Sequence, residues 1–299
     1  MSILDQQVVN VTRTAVGALL QTVKFFGLPN KLALKPNSTL NQKFNVQNNV
    51  MPADTQTLNF KYLVIGNQGH YTVRADDGSD ETDVVPHRTN HNGLYNHIPF
   101  VLREVGDDLT ALEREKYCLR TTVEIKGKQY IAYYGRRLNT SGVNPQVLEV
   151  TVINGIETTK VYNFELEDLN PKRPLVPNTG TVVGSNQFIA ASAILEVKFT
   201  KEDIAEIVNA HRIRTGSTRS PVISEIGLVT GVDKLVQGSA GGAGSIEYNE
   251  VIGAQIAVHV STNHPIAYNS NGLTMVYDVG ASEPVLGDKA LNVAEFART

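Results

Sequence analysis

Tryptophan is absent from this 299-residue chain and cysteine occurs once, at Cys118. A single cysteine excludes an intrachain disulfide, which fits folding in a reducing cytoplasm. Cys118 ends a short helix pattern beside Leu119. No His and Asn pattern of a cysteine hydrolase accompanies it, so it reads as a buried small hydrophobe rather than a nucleophile. No window approaches ~18 consecutive apolar residues, so no membrane span is expected. The opening MSILDQQVVNVTRTAVGALLQ lacks the basic start and small-residue cleavage site of a signal peptide. An excess charge of one sign is also missing: 27 Lys and Arg stand against 30 Asp and Glu, a net charge of −3. The basic pairs Arg136-Arg137 and Lys172-Arg173 stand alone and read as solvated surface, so no direct nucleic-acid partner is expected.

Catalytic signatures are missing as well. There is no Gly-x-Ser-x-Gly elbow, and Ser224 lies inside a strand pattern. Glu165 and Glu167 sit in a polar segment, where a glycosidase pair cannot be told from surface acids. The run GSAGGAGS at 238–245 lacks the Gly-Lys-Ser/Thr ending of a phosphate loop and reads as a flexible connection. The expectation is a non-enzyme with no catalytic, cofactor-binding or metal residues and no cofactor.

What is present is a globular composition, 41% hydrophobic and 19% charged. Leu4, Val8, Val11, Ala15, Leu19, Val23 and Phe26 recur at steps of four and three, predicting an N-terminal amphipathic helix over 4–26 ended by Gly27 and Pro29. Residues 30–57 are polar and Asn-rich, with Pro36 and Pro52, and read as an extended arm. TLNFKYLVI (57–65) alternates as a strand, with Tyr71 and Val73 starting a partner. His97 to Arg103 forms a short strand through Pro99, and Thr110 with Glu113 has capping-box spacing for a helix to about Tyr117.

Four strands then follow as an antiparallel meander: 119–125, the tyrosine-rich 128–138, 147–153 and 158–164. The last two are joined by Asn154-Gly155, a type I′ hairpin signal. Pro171, Pro174 and Pro177 mark a linker. Beyond it come a strand over 189–199 and a helix capped by Thr200 that carries Ile204, Ile207, Val208 and His211, with His211 read as a packing residue. Strands at 220–229, 252–260 and 273–279 complete the chain. The fold class is therefore mainly β with a few helices, an α+β arrangement of antiparallel meander or sandwich-like domains. The segments are 1–57 as helix and arm, 58–170 as an antiparallel β domain, 171–187 as linker, and 188–299 as a second mostly β domain with one helix.

The most polar stretch, 74–97, holds Asp76, Asp77, Asp80, Glu81 and Asp83, then His87, His91 and His97. Three histidines after five carboxylates raise an ion site, and with the meander tyrosines a carbohydrate- or ion-binding module is the alternative reading. The spacing matches no compact ligand motif, and the segment DDGSD lacks the closing Glu of a calcium loop. A solvated loop is the plainer expectation.

The wording LYNHIPFVLREVGDDLTALEREKYCLR (94–120), QYIAYYGRRL (129–138) and SPVISEIGLVTG (220–231) resembles virion structural proteins of tailed bacteriophages, mainly those with large contractile tails. The resemblance covers about a fifth of the chain and carries over no functional residue. It implies an assembly subunit of the tail or baseplate, or alternatively a neck or capsid-associated protein. Such a protein is made in the host bacterial cytoplasm and built into the virion through homo- or hetero-oligomeric contacts with other virion proteins. The terminal helix, the 30–57 segment and the 238–245 loop are the candidate arms for such contacts.

Overall fold

A computed structural model of the chain describes residues 9–171, 186–219, 221–239, 245–262 and 272–285. In chain order its strands and helices begin with β1 (Val9–Arg13), α1 (Ala15–Phe25), α2 (Leu40–Phe44), β2 (Asn59–Gly66), β3 (His70–Arg74) and β4 (Asp80–Val84). They continue with β5 (His97–Ile98), β6 (Val101–Glu104), α3 (Ala111–Arg114), β7 (Tyr117–Ile125), β8 (Lys128–Arg137), β9 (Gln146–Ile153) and β10 (Ile156–Val161). The rest are β11 (Gln187–Ser192), β12 (Ile194–Phe199), α4 (Lys201–Thr215), β13 (Glu225–Ser239), β14 (Ser245–Thr262), β15 (Leu273–Asp278) and β16 (Ala281–Pro284). The protein is mainly β, with antiparallel sheets and, among the described residues, four α-helices.

Two compact units form, and neither is continuous in sequence. The first takes the chain up to Asn139 together with Lys198–Leu273, and the second takes Thr140–Val197 with the residues from Thr274 on. These units cut across the consecutive segments 1–57, 58–170, 171–187 and 188–299 expected from composition. Most of the proline-marked linker, and the centre of the glycine-rich 238–245 run, lie outside the described residues.

The first unit is organised on an eight-stranded sheet in the order β1-β14-β13-β2-β8-β6, with β5 added to β2 and β7 to β8. Its spine is the β13–β14 hairpin, bulged between Leu228 and Val229 and between Thr230 and Val232. Bulges of this kind bend and twist a long ribbon. β2 runs beside β13 and buries Tyr62, Leu63, Val64 and Ile65, so it is covered on both faces. One core cluster joins Leu40 and Val46 to Tyr62, Val64, Leu119, Val229 and Ile256. A second joins α1 (Leu20, Val23) to Ala33, Leu34 and Leu58, and a third joins α4 (Ala210) to Leu102, Tyr130 and Ala132.

Several expectations are corrected here. The helix of 4–26 begins only at Ala15: Thr14 caps it by accepting the Gly17 N–H at 2.9 Å and donates to the Ile256 carbonyl at 2.8 Å. The preceding β1 pairs with β14, because β-branched Val9 and Val11 favour a strand once an edge is available. The stripe is also rotated, burying Val16, Leu20 and Val23 while Val11 and Phe26 face solvent.

The 30–57 segment is packed rather than extended. Asn41 accepts the Ala254 N–H at 2.8 Å and donates to the Val46 and Val251 carbonyls at 2.8 and 2.7 Å, while Gln255 reaches Ser38 at 2.6 Å. Polar residues hold this segment against β14, which is why hydrophobic periodicity missed it.

The expected four-strand meander is split. β8 gives its edges to β7, β6 and β2, whereas β9 and β10 belong to a separate sheet, β10-β9-β11-β16, in the second unit. β3 pairs with β4, not with β2. The strand of 189–199 is broken at Ala193 into β11 and β12, and β12 pairs with β15. The short helix stops at Arg114, because Tyr117 already enters β7.

Local chemistry was read well elsewhere. Asn154 and Gly155 take φ of 51° and 77°, and the capping boxes Thr110/Glu113 and Thr200/Asp203 both close.

Candidate functional site

β13 begins with Glu225, whose side chain is fully buried where loops from β2 and β4 converge. Its Oε2 accepts the backbone N–H of Gln68 at 2.9 Å and of Asn96 at 3.2 Å, while Oε1 accepts that of Tyr95 at 2.6 Å. His87 Nε2 lies 2.9 Å from the same Oε1 and is equally buried. A buried carboxylate is tolerated only when its lone pairs are occupied in this way. Glycine is required nearby: a methyl at Gly69 would collide with the Ser224 carbonyl and the Glu225 side chain.

The imidazole of His87 is sandwiched. Tyr95 stacks on it at 4.3 Å and 17°, and His259 of β14 at 4.0 Å and 11°. Its Nδ1 meets His91 Nδ1 at 3.2 Å. His91 Nδ1 also accepts the Arg88 N–H at 3.3 Å, and His259 Nε2 donates to the His91 carbonyl at 2.9 Å. Burial holds His259 down at about 4 and His91 below the ordinary imidazole value. His97 is held at about 3, first by burial and then by nearby Lys43. What the arrangement does is anchor loop backbone on a buried carboxylate and a stack of rings.

The polar 74–97 stretch thus divides in two. Asp76 and Asp77 lie in the β3–β4 turn, and Asp80, Glu81 and Asp83 on exposed β4; Tyr71 donates to Asp83 at 3.1 Å. The histidine half is no solvated loop, since His87 and His97 are buried. The carboxylates and histidines expected as one cluster are therefore not brought together. Among the described residues no three His, Cys, Asp or Glu side chains form a group that could hold a metal ion.

Arg136 and Arg137, expected as solvated surface, are packed. Arg136 pairs with Asp203 at 3.0 Å and lies over the Phe199 ring. Arg137 pairs with Asp233 at 2.9 Å and donates to the carbonyls of Glu115, Tyr117 and Asn249. Lys172 and Arg173 lie outside the described residues. Burial pushes the Cys118 thiol up, as for a core residue. Glu250 accepts the Leu119 and Arg120 N–H groups, yet burial raises its carboxyl to about 7. Leu119 takes φ of 56° to aim its amide there.

Sequence reading missed Glu225, Glu250, His259 and Asn41. The available signal was a charged or imidazole residue inside an apolar strand run, as in VISEIGLV and IAVHV.

The surface carries a second candidate. Phe25 is 85% exposed and Phe26 67%, and with Leu28 and Leu32 they place four large exposed apolar side chains within eight residues at the end of α1. β1 closes one end of the large sheet, and all six residues of β10 at the end of the second sheet are exposed. No helix among the described residues is long and apolar enough to cross a membrane.

The model of a family of unknown function, DUF7208, matches residues 1–294. No curated protein and no solved structure matches the chain.

Proposed function

The chain belongs to DUF7208, a family of unknown function, and we propose that it is a structural virion protein of a tailed phage, an assembly subunit of the tail or baseplate region acting through protein–protein interfaces. The observation that carries this reading is the solvent-facing apolar group Phe25, Phe26, Leu28 and Leu32. Large aromatics are costly to expose and serve as interface anchors, each contributing about 1.5–3 kcal/mol when buried by a partner. The resemblance of residues 94–120, 129–138 and 220–231 to tailed-phage virion proteins points the same way. So do the terminal strands β1 and β10, whose outer edges can accept a further strand. The buried ionisable groups are mostly engaged in holding backbone: Glu225, Glu250 and Arg137 together fix loops, the irregular start of β7 and the middle of the β13–β14 ladder.

The partners are other virion proteins or further copies of this chain, and the place of action is the virion. The test is incorporation. Phe25→Asp with Phe26→Asp is expected to leave thermal unfolding within about 1 kcal/mol of wild type, because both rings already face water. The same variant is expected to be lost from assembled particles. Incorporation at the wild-type level would remove the observation on which the reading stands.

A further inference from the structure

Loop 85–97 is joined to the first unit by side chains from several elements at once. Glu225 of β13 receives His87 and the Tyr95 and Asn96 amides, and His259 of β14 stacks on His87 while bonding the His91 carbonyl. The N-terminal elements hang on the same loop: Thr12 Oγ1 donates to the His87 carbonyl at 3.1 Å and the Ala15 N–H to the Thr89 carbonyl at 2.7 Å. The contact between His87 and Glu225 joins fully buried side chains, and next to it stand two more imidazoles.

Each imidazole contact has room for one proton and no more. His91 Nδ1 accepts the Arg88 amide and lies against His87 Nδ1; a proton placed on it turns the acceptor into a donor and evicts that amide. His259 uses Nε2 as donor, so an added proton goes to Nδ1, which is buried and has no partner among the described residues. That charge would lie 4.0 Å from the His87 ring with nothing to accept its hydrogen. A buried unpaired charge is costly enough that the ring must turn out, and turning out releases the His91 carbonyl.

We propose that His87, His91, His259 and Glu225 form an acid-operated latch, which clamps loop 85–97 onto β1, β13 and β14 at neutral pH and lets the loop go when His91 and His259 take up protons. The groups that face it are Glu225 from β13, His259 from β14, and Arg88, Tyr95 and His97 from the loop, with Lys43 of α2 beside His97. Lys43 and Arg88 add positive charge and oppose further protonation. The depressed His259 and His91 agree in sign. They are neutral in the fold and take protons more readily once released, so stability present above about 6.5 is lost as pH falls toward about 4. The latch does not depend on the assembly role, and its consequence is local: it frees the loop and, through the Thr89 carbonyl, the first amide of α1, while β1 keeps its pairing with β14.

The experiment is hydrogen exchange with mass spectrometry on the full chain at pH 7, 6, 5 and 4.5, corrected for intrinsic exchange rates. Protection of residues 85–97 and of the Ala15 amide is expected to fall by about tenfold or more between pH 7 and 5, while β8 stays protected. His259→Gln keeps a donor for the His91 carbonyl but does not titrate, and it should flatten this pH dependence by at least about threefold. Equal loop protection at pH 7 and 5, or loss from the loop and β8 in one step, would overturn the latch. So would wild-type pH dependence in His259→Gln. Should that variant fail to fold, a wild-type NMR titration decides: the His259 ring must protonate together with loop opening, and protonation with the loop still closed contradicts the proposal.

Discussion

Glu225 Oε1 and His87 Nε2 stand 2.9 Å apart with neither side chain reaching solvent, and the same carboxylate holds the Gln68, Tyr95 and Asn96 amides in place. Removing one partner of such a pair costs more than the pair itself contributes, because the other is left buried and alone. Glu225→Gln is isosteric but turns an N–H₂ toward amides that need an acceptor. We expect a loss of about 3 kcal/mol, measured as a lowered urea midpoint at constant slope. An unchanged midpoint would mean the loops are held by other contacts.

Asn41 supplies a comparable test on the opposite flank of β14. Its amide serves the Val46 and Val251 carbonyls and the Ala254 N–H, all buried. Asn41→Leu preserves volume and strands three backbone groups, so a loss of about 3 kcal/mol is predicted from equilibrium unfolding. A neutral result would show that segment 30–57 is only loosely held.

These two residues also mark where sequence reading ended. The Asn154-Gly155 turn and the two capping boxes were legible because their chemistry closes within four residues. Asn41 and Ala254 are 213 positions apart, and Glu225 and Gln68 are 157 apart. No local period encodes such contacts, so an anchored segment looked like an arm and a buried histidine loop looked solvated. The split of the expected meander has the same origin: β8 is claimed by β2, whose partnership comes from a distant stretch of chain. Composition still sufficed for the mainly β class, since strands dominate wherever β-branched and aromatic residues alternate.

Midway along the β13–β14 ladder, Arg137 donates to Asp233 and the Asn249 carbonyl, and it also reaches the carbonyls of Glu115 and Tyr117. A lysine keeps the charge but cannot supply that fork of donors. Arg137→Lys should cost about 2 kcal/mol and speed amide exchange in Asp233 to Gly238 more than in β2. Uniform exchange across both strands would argue that the middle of the hairpin is held by strand pairing alone.

Glu250 gives a pH signature opposite to that of the latch. Burial, stronger than the two amides and Arg137 that oppose it, raises its carboxyl from 4.5 to about 7. Its contribution is fully present below about 4.5 and is lost as pH rises through 7, a change of about 3 kcal/mol. Glu250→Gln should therefore flatten the fall of global stability between pH 5 and 8 in urea titrations. A slope identical to wild type would place the proton elsewhere.

Whether the chain is part of a virion is settled most directly by quantitative mass spectrometry of gradient-purified tailed particles, washed in high salt, from cells carrying the gene in its natural genome. The account predicts this chain in the particle band at a fixed ratio to the other virion proteins before and after washing. Recovery only in the soluble fraction, with none in intact particles, would contradict it.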